Sequence, residues 1–323
     1  MSQIKVVTLT NSKGSELQIS NLGATIIGLK VPNKNNKLVN VVVSLEKPSD
    51  YKDTPHPCLG SSIGRYAGRI SRGKFTVEGK EYPIYNEDGV HLHGGEIGFD
   101  KRFWNVDENL ESKNSEVTLS IESKHLEEGY PGNLKATVCY QLTENNEVKI
   151  TYKATTDKAT PVNLTNHAYY NLEGEGSILN HELKINSTNY LEVSNQLLPS
   201  GKLIPTAGNR FDRKELMPIG REDFTGFDDT FVLSNEKIKA VLSSEKTGIK
   251  MKVYTNQPAS VVYTPVEFEE LPFKNGVSFS KFSAICFETQ NFPDAPNNSN
   301  FPSSILNPGE EYINESVFKF SII

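Results

Sequence analysis

One carboxylate stands in an otherwise uncharged, apolar run near the C-terminal end of the chain. Glu288 follows the five residues SAICF, 283–287, and none of these carries a charge. An ionised carboxylate is costly to bury unless it is paired, hydrogen-bonded or neutralised. Glu288 is therefore an exposed exception, an ion-pair partner or a group retained for proton transfer. Strand alternation places it on one side with Ala284, Cys286 and Gln290, which leaves space above the small residues.

A histidine in the segment PVNLTNHAYYNLEGEG is a second candidate for proton transfer. If this segment is a strand, Asn163, Thr165, His167 and Tyr169 share one polar face. Histidine titrates near neutral pH and can lend a proton to a reacting group. A lone histidine on such a face is more often structural, so both interpretations stay open from the residues alone.

Three arginines alternate with glycines in LGSSIGRYAGRISRGKF. The segment contains neither the GxxxxGK[ST] nor the GxGxxG phosphate-binding pattern. Arg65, Arg69 and Arg72 are either solvated side chains of a glycine-rich turn region, or one of them is fixed by packing and offers its planar guanidinium to an oxygen-rich ligand.

Two histidines stand two residues apart in GVHLHGGEIGFDKRFW. On a strand, His91 and His93 would point to the same side, which is a spacing that can hold a metal ion. The third ligand is the difficulty, because Glu96 lies too close along the chain. We therefore expect no metal, one structural histidine and one neutral histidine that donates a hydrogen bond to a ligand. The two following glycines would admit a close backbone approach.

Acidic and amide side chains flanked by aromatic residues occur in GFDDTFVL and YTNQPASVVYT. Asp228, Asp229 and Gln257 offer the acceptors and donors that a hydroxyl-rich ligand needs, and the aromatic neighbours offer an apolar surface for a sugar ring.

The elements that must position these residues are predominantly strands. Apolar and polar residues alternate in EVTLSIES, EVKITYKA and GIKMKVYT, and turn residues near Asn35, Gly79 and Asn145 join such runs as hairpins would. Almost no window sustains a helical pattern beyond two turns. The sequence predicts an all-β fold, an antiparallel sandwich or barrel with few short helices, and a single domain over residues 1–323.

Composition narrows the classes of function. The chain has 323 residues, 36% hydrophobic residues and a net charge of -6 without a basic stripe, so no nucleic-acid partner is expected. The three cysteines form no CxxC pair, which favours free thiols and a cytoplasmic location. We see no signal peptide and no segment long enough to span a membrane, so no membrane partner is expected.

Six motifs together resemble one family. GRYAGRI, HLHGG, NLTNHAYYNLEG, GFDDTF, YTNQP and FETQNFPDAPN occur in the order and with roughly the spacing of the aldose 1-epimerases, or galactose mutarotases, between Gly60 and Asn297. The resemblance implies a large antiparallel β-sandwich of the galactose mutarotase-like supersandwich type. It also implies interconversion of the α and β anomers of free aldohexoses such as galactose and glucose, in carbohydrate metabolism, without a cofactor.

The resemblance also assigns roles to individual residues. Glu288 matches the family's general base and His167 its general acid. The positions that hold sugar hydroxyls in the family are matched by Arg69, His93, Asp228 and Gln257, with Tyr169 as a further candidate. The substrate is a small sugar, no metal is implied, and the protein is expected to be a monomer or a homodimer.

The chain departs from the family pattern in two places, which affect the sugar preference. Gly68 replaces the usual Asn before Arg69, and the Gly-Asn that commonly follows Tyr-Thr is missing from the segment after Gln257. Three alternative functions stay open. Arginines meeting a phosphate would give a hexose-phosphate mutarotase, Glu288 and Asp228 across a glycosidic bond would give a glycoside hydrolase, and the same sandwich could be a non-catalytic carbohydrate-binding protein.

Overall fold

The computed structural model describes residues 3–107, 115–222, 224–268 and 270–323. Nearly all of its regular structure is β-strand. The strands in chain order are β1 Val6–Thr10, β2 Glu16–Ser20, β3 Thr25–Pro32, β4 Leu38–Asn40, β5 Ser62–Ile63, β6 Arg69–Ser71, β7 Lys74–Val77, β8 Lys80–Pro83, β9 Val90–Leu92, β10 Asn105–Val106, β11 Glu116–Ser123, β12 Leu134–Leu142, β13 Glu147–Thr156, β14 Thr160–Pro161, β15 Thr165–Asn166, β16 Tyr169–Tyr170, β17 Glu182–Ile185, β18 Ser187–Val193, β19 Pro199–Pro205, β20 Met217–Pro218, β21 Asp228–Leu233, β22 Ala240–Ser243, β23 Ile249–Thr255, β24 Ala259–Tyr263, β25 Ile285–Gln290, β26 Ile305–Leu306 and β27 Tyr312–Ile322.

Helical structure within the described ranges is short. An α-helix covers Asp50–Asp53, and 3-10 turns cover Phe99–Lys101, Glu127–Gly129, Lys274–Gly276 and Ala295–Asn297. Among the described residues, no helix has the length and apolar character needed to cross a membrane.

The largest sheet has nine antiparallel strands in the order β10-β11-β12-β13-β27-β23-β22-β17-β20. Its strands β11, β13 and β23 are the three runs in which the sequence alternates, and their apolar residues are buried while the intervening ones are not. The predicted hairpins near Gly79 and Asn145 join β7 to β8 and β12 to β13. The expectation of an antiparallel β-sandwich is confirmed.

A second sheet has six antiparallel strands in the order β16-β25-β24-β21-β18-β19. One face of it packs on the nine-stranded sheet, and Tyr170 of β16 stacks on Phe318 of β27 with ring centroids 5.2 Å apart. Ile285 and Phe287 of β25 belong to this common core, whereas Cys286 belongs to a separate apolar cluster on the other face. The predicted division of β25 into two faces is thus confirmed, and Glu288 lies on the face away from the core.

Candidate active site

A cavity of about 280 Å³ lies on the outer face of the six-stranded sheet. Its floor consists of cross-strand neighbours, because Glu288 of β25 pairs with Val261 of β24 and Val261 pairs with Thr230 of β21. The adjacent row contains Asp228 and Tyr263, which are also paired. All five side chains line the cavity. Further apolar residues complete its walls: Pro57, Leu92, Val193, Leu197, Pro199 and Pro293.

Glu288 and His167 form a buried pair at the bottom of this cavity. The Nε2 atom of His167 lies 3.4 Å from Oε1 of Glu288, and the two residues are only 5% and 2% exposed. The second carboxylate oxygen of Glu288 and Nδ1 of His167 are buried and make no hydrogen bond to the described residues. Both groups therefore have hydrogen-bonding capacity that the described residues leave unused.

Burial shifts the pKa values of Glu288 and His167 in opposite directions. Loss of hydration raises the pKa of Glu288 to about 8, with a further rise from Asp228 that Arg69 opposes. Burial also lowers the pKa of His167 to about 4. Both shifts favour the uncharged forms, a protonated Glu288 and a neutral His167, so the pair shares one exchangeable proton near neutral pH. The family roles of Glu288 as base and His167 as acid imply the opposite placement of this proton; here the loss of hydration is the largest cause of both pKa shifts.

Aromatic rings fix the orientation of His167. Tyr169 is stacked on its imidazole at 5.0 Å and 17°, while Tyr263 and His93 meet it edge-on at 6.2 and 5.4 Å. The hydroxyl of Tyr169 donates a hydrogen bond to the carbonyl of Pro57 at 2.8 Å. Tyr169 lines the cavity, but its hydroxyl is engaged by Pro57, so it presents the face and edge of its ring and positions the imidazole.

His91 and His93 do not share a face, contrary to the strand-based expectation. His93 follows the end of β9 and has a left-handed backbone, with φ of 49°, which turns its side chain into the cavity. The backbone N–H of Gly68 donates to Nδ1 of His93 at 3.2 Å, so the neutral ring carries its proton on Nε2. Burial lowers the pKa of His93 well below its ordinary range.

His91 has the structural place that we expected for one histidine of this motif. Its Nδ1 lies 2.6 Å from the carbonyl of Tyr85 and its Nε2 lies 2.6 Å from the hydroxyl of Tyr130. The close backbone approach predicted for the glycines is present too, since a Cβ on Gly94 would lie 1.9 Å from the carbonyl oxygen of Gly64.

Among the three arginines, Arg69 lines the cavity. Its Nη2 lies 3.7 Å from Oδ2 of Asp228, so two predicted hydroxyl-binding side chains stand side by side. Arg65 is buried and donates five hydrogen bonds to Ser123 and to backbone carbonyls of residues 123, 124, 131 and 132. Arg72 lines a different groove. The three arginines of this segment thus lie in three different environments.

Gln257 does not line the cavity, so the structure does not bring it together with the other predicted hydroxyl-binding residues. It lies in the turn between β23 and β24, where its side-chain amide donates to Oδ1 of Asn256 at 2.8 Å and to the carbonyl of Ile313 at 3.3 Å. The hairpin turns the chain, and the β24 residue that reaches the cavity beside Glu288 is Val261.

The segment around His167 is not one continuous strand. It forms two short strands, β15 and β16, which are separated by His167 and Ala168. Asn163 and Thr165 are buried and donate to backbone carbonyls of Ala67, Asn291 and Thr289 rather than forming a polar face with His167. Only His167 and Tyr169 of the four predicted neighbours therefore line the cavity.

Three side chains of the cavity have the donor types of a metal site. The candidate ligand atoms of His93, His167 and Glu288 lie within 4.8 Å of one another. Metal-bound histidines normally donate their other ring N–H to a carbonyl or carboxylate. Here Nδ1 of His93 instead accepts from the Gly68 N–H, and Nδ1 of His167 makes no hydrogen bond to the described residues. The arrangement fits a hydrogen-bonding site better than a metal centre.

Sequence reasoning missed the apolar half of the cavity. Val193, Leu197 and Pro199 come from the β18–β19 hairpin, and Tyr263 and Val261 come from β24. For Val261 and Tyr263, the available signal was the strand pairing, since β24 directly precedes the loop that leads to β25. For the β18–β19 hairpin no local signal existed, because its position depends on the order of strands in the sheet.

The chain resembles known proteins over almost its whole length. Residues 5–319 match the family model described as aldose 1-epimerase. The galactose mutarotase of Homo sapiens is 39% identical over 317 residues, covering 95% of this chain and 91% of that protein. The aldose 1-epimerase of Escherichia coli K12 is 33% identical, covering 98% and 95%.

Solved structures show the same architecture. An aldose epimerase homologue from C. elegans superposes with a TM-score of 0.93 at 27% identity, covering 99% of this chain and all of that one. The galactose 1-epimerase of Lactobacillus acidophilus gives a TM-score of 0.86 at 28% identity, covering 99% and 95%. With the family model spanning the described sheets and the cavity residues, the chain belongs to the aldose 1-epimerase family.

Proposed function

We propose that this protein is an aldose 1-epimerase, an isomerase that interconverts the α and β anomers of free aldohexoses, with galactose and glucose as substrates. The observation that carries the proposal is the buried pair of Glu288 and His167, 3.4 Å apart at the bottom of a cavity large enough for one sugar ring. Family membership supports the reaction type.

The reaction requires one acid and one base that act on neighbouring oxygens of the sugar. On sugar binding the single proton of the pair moves from Glu288 to His167, and the ionised Glu288 then accepts the proton of the C1 hydroxyl. His167 delivers a proton to the ring oxygen, so the C1–O5 bond breaks and the aldehyde forms. Rotation about C1–C2 exposes the other carbonyl face, and reclosure with the roles reversed gives the other anomer.

The proton inventory of the site matches this chemistry. The pair holds a single exchangeable proton between the pKa values of about 4 and about 8, so one member is always able to accept when the other donates. Each positioned acid or base contributes about 10²- to 10⁴-fold, so the pair supplies roughly 10⁴- to 10⁸-fold. The residues of this chain therefore supply both proton transfers.

Other polar groups of the cavity are suited to hold the sugar. Arg69 and Asp228 offer donors and acceptors from one side, and the Nε2–H of His93 is a donor close to His167. The aromatic and apolar side chains cover the C–H faces of a sugar ring. We infer that these three polar residues bind hydroxyls, and that Tyr169 acts through His167.

The alternative functions find less support in the same geometry. A phosphate would meet Arg69 alone, beside the like charge of Asp228, because Arg65 is occupied and Arg72 lies in another groove. A glycoside hydrolase would use Glu288 and Asp228 together, yet Glu288 contacts an imidazole and Asp228 contacts a guanidinium. The cytoplasmic location and the monomer or homodimer stay predictions.

The direct test is the optical rotation of fresh α-D-galactose and α-D-glucose. We expect the purified protein to accelerate the approach to equilibrium, in proportion to its concentration. Xylose and glucose 6-phosphate measured alongside separate the free-sugar activity from that of a hexose-phosphate mutarotase. A decay constant unchanged by the protein for all four sugars would overturn the proposal.

A further inference from the structure

Val261 occupies the floor of the cavity directly beside Glu288. The pairing of β25 with β24 makes the two residues cross-strand neighbours, and both line the cavity. Side chains of such neighbours lie about 5 Å apart on one face of a sheet. A sugar whose C1 hydroxyl is held at Glu288 therefore extends over a side chain with neither donor nor acceptor.

The strand order gives the direction in which the sugar extends. His167 lies two residues before the start of β16, which borders β25 on one side, and Val261 lies on β24 at the other side. With the ring oxygen at His167 and the C1 hydroxyl at Glu288, C2 is the ring atom on the opposite side of C1 from that oxygen. C2 and its hydroxyl thus lie over Val261.

Thr230, the partner of Val261 on β21, also lines the cavity and carries a hydroxyl, but it lies two strand spacings, or about 10 Å, from Glu288. A C2 hydroxyl next to the C1 hydroxyl held at Glu288 therefore lies over Val261 rather than over Thr230. Val193 and Leu197 continue the apolar surface from the β18–β19 hairpin. The polar side chain of Asp228 stands two residues before Thr230, which is the partner of Val261 on β21. Two residues along a strand span about 6.6 Å. Asp228 therefore binds hydroxyls that lie over its own row, the one that it shares with Tyr263.

We propose that Val261 makes this site indifferent to the hydroxyl at C2, so that 2-deoxy-aldohexoses and C2 epimers are also substrates. The inference rests on the proposed function, because it uses the positions of C1 and the ring oxygen. A site built to hydrogen-bond a hydroxyl rejects an analogue without it by on the order of 10⁴-fold, whereas an apolar surface discriminates far less.

The test compares kcat/KM for D-galactose and 2-deoxy-D-galactose, each corrected for its uncatalysed rate. We expect the two values to agree within about tenfold, as an apolar contact allows. A larger preference for D-galactose would overturn the inference. If neither sugar is accelerated, the proposed function itself fails, so the two failures are distinguishable.

Substitution of the valine links the preference to this position. Val261→Thr keeps the shape and adds one hydroxyl to the floor, and we expect it to shift the ratio toward D-galactose by about fivefold or more, the scale of one hydrogen bond. The control is Val266→Thr at an exposed valine, which we expect to leave the ratio unchanged. An unaltered ratio in Val261→Thr, or an equal shift in both variants, would contradict the role of Val261.

Discussion

Replacement of Glu288 by glutamine is expected to lower the activity strongly and to stabilise the protein. Burial raises the pKa of Glu288 from its ordinary value of 4.5 to about 8. A carboxyl group with a raised pKa contributes its full stability below 4.5 and loses it as the pH rises toward 8. At pH 7 the loss corresponds to about 2.5 pH units at 1.36 kcal/mol each, or about 3 kcal/mol.

Glutamine has the shape of the protonated carboxyl group and cannot ionise. We therefore expect Glu288→Gln to exceed the wild type by about 3 kcal/mol in the free energy of unfolding at pH 7, and by less than about 1 kcal/mol at pH 4.5. Urea titrations followed by the fluorescence of Trp104, the chain's single tryptophan, measure both values. Glu267→Gln, at an exposed carboxylate, is the matched control and should show no such pH-dependent gain.

The activity of the same variant gives the second half of the prediction. Loss of the base should lower kcat/KM by about 10²- to 10⁴-fold. A variant that is no more stable than the wild type at pH 7 would refute the claim that burial holds Glu288 in its neutral form.

The remaining predictions concern the pH dependence and three side chains. The pH profile of kcat/KM should be bell-shaped. Activity should fall below about pH 4, where His167 is protonated in addition to Glu288, and above about pH 8, where Glu288 ionises and the pair has no proton left. A flat profile through pH 8 would contradict this assignment. Arg65→Met should lower the free energy of unfolding by about 3 kcal/mol or more in urea titrations, because it leaves several buried carbonyls unpaired. Arg69→Met should instead raise KM for galactose. If both substitutions lowered the free energy of unfolding equally, or raised KM equally, the different roles of the two arginines would be contradicted. Gln257→Ala should have a kcat/KM within about twofold of the wild-type value. A much larger loss of kcat/KM would instead support the predicted contact of Gln257 with the sugar.

The sequence predicted the regular parts of the fold well. Apolar residues at every second position identified β11, β13 and β23, because a strand buried on one face requires that alternation. The same rule divided β25 correctly into a core face and an outer face. It failed at His167 and His93, where the chain leaves strand geometry and no longer follows a period of two.

The site was only partly predictable for a related reason. Glu288 and His167 carried a chemical signal of their own, namely an acid in an apolar run and a histidine in a polar segment. The pKa order of the pair depends on how completely the cavity excludes water, which no local pattern contains. Val261 was missed, and Gln257 was predicted to contact the sugar, because the sequence does not show where the turn before β24 ends. Without that position, the face of the sheet on which each side chain lies cannot be predicted.

Exchange between the C1 protons of α- and β-D-galactose at equilibrium, measured by NMR saturation transfer, tests the central claim most directly. It reports ring opening and reclosure without any net change in composition. We predict fast exchange with the wild type, and a reduction of about 10²-fold or more with either Glu288→Gln or His167→Asn. Exchange as fast in either folded variant as in the wild type would contradict the assignment of this pair to the chemistry.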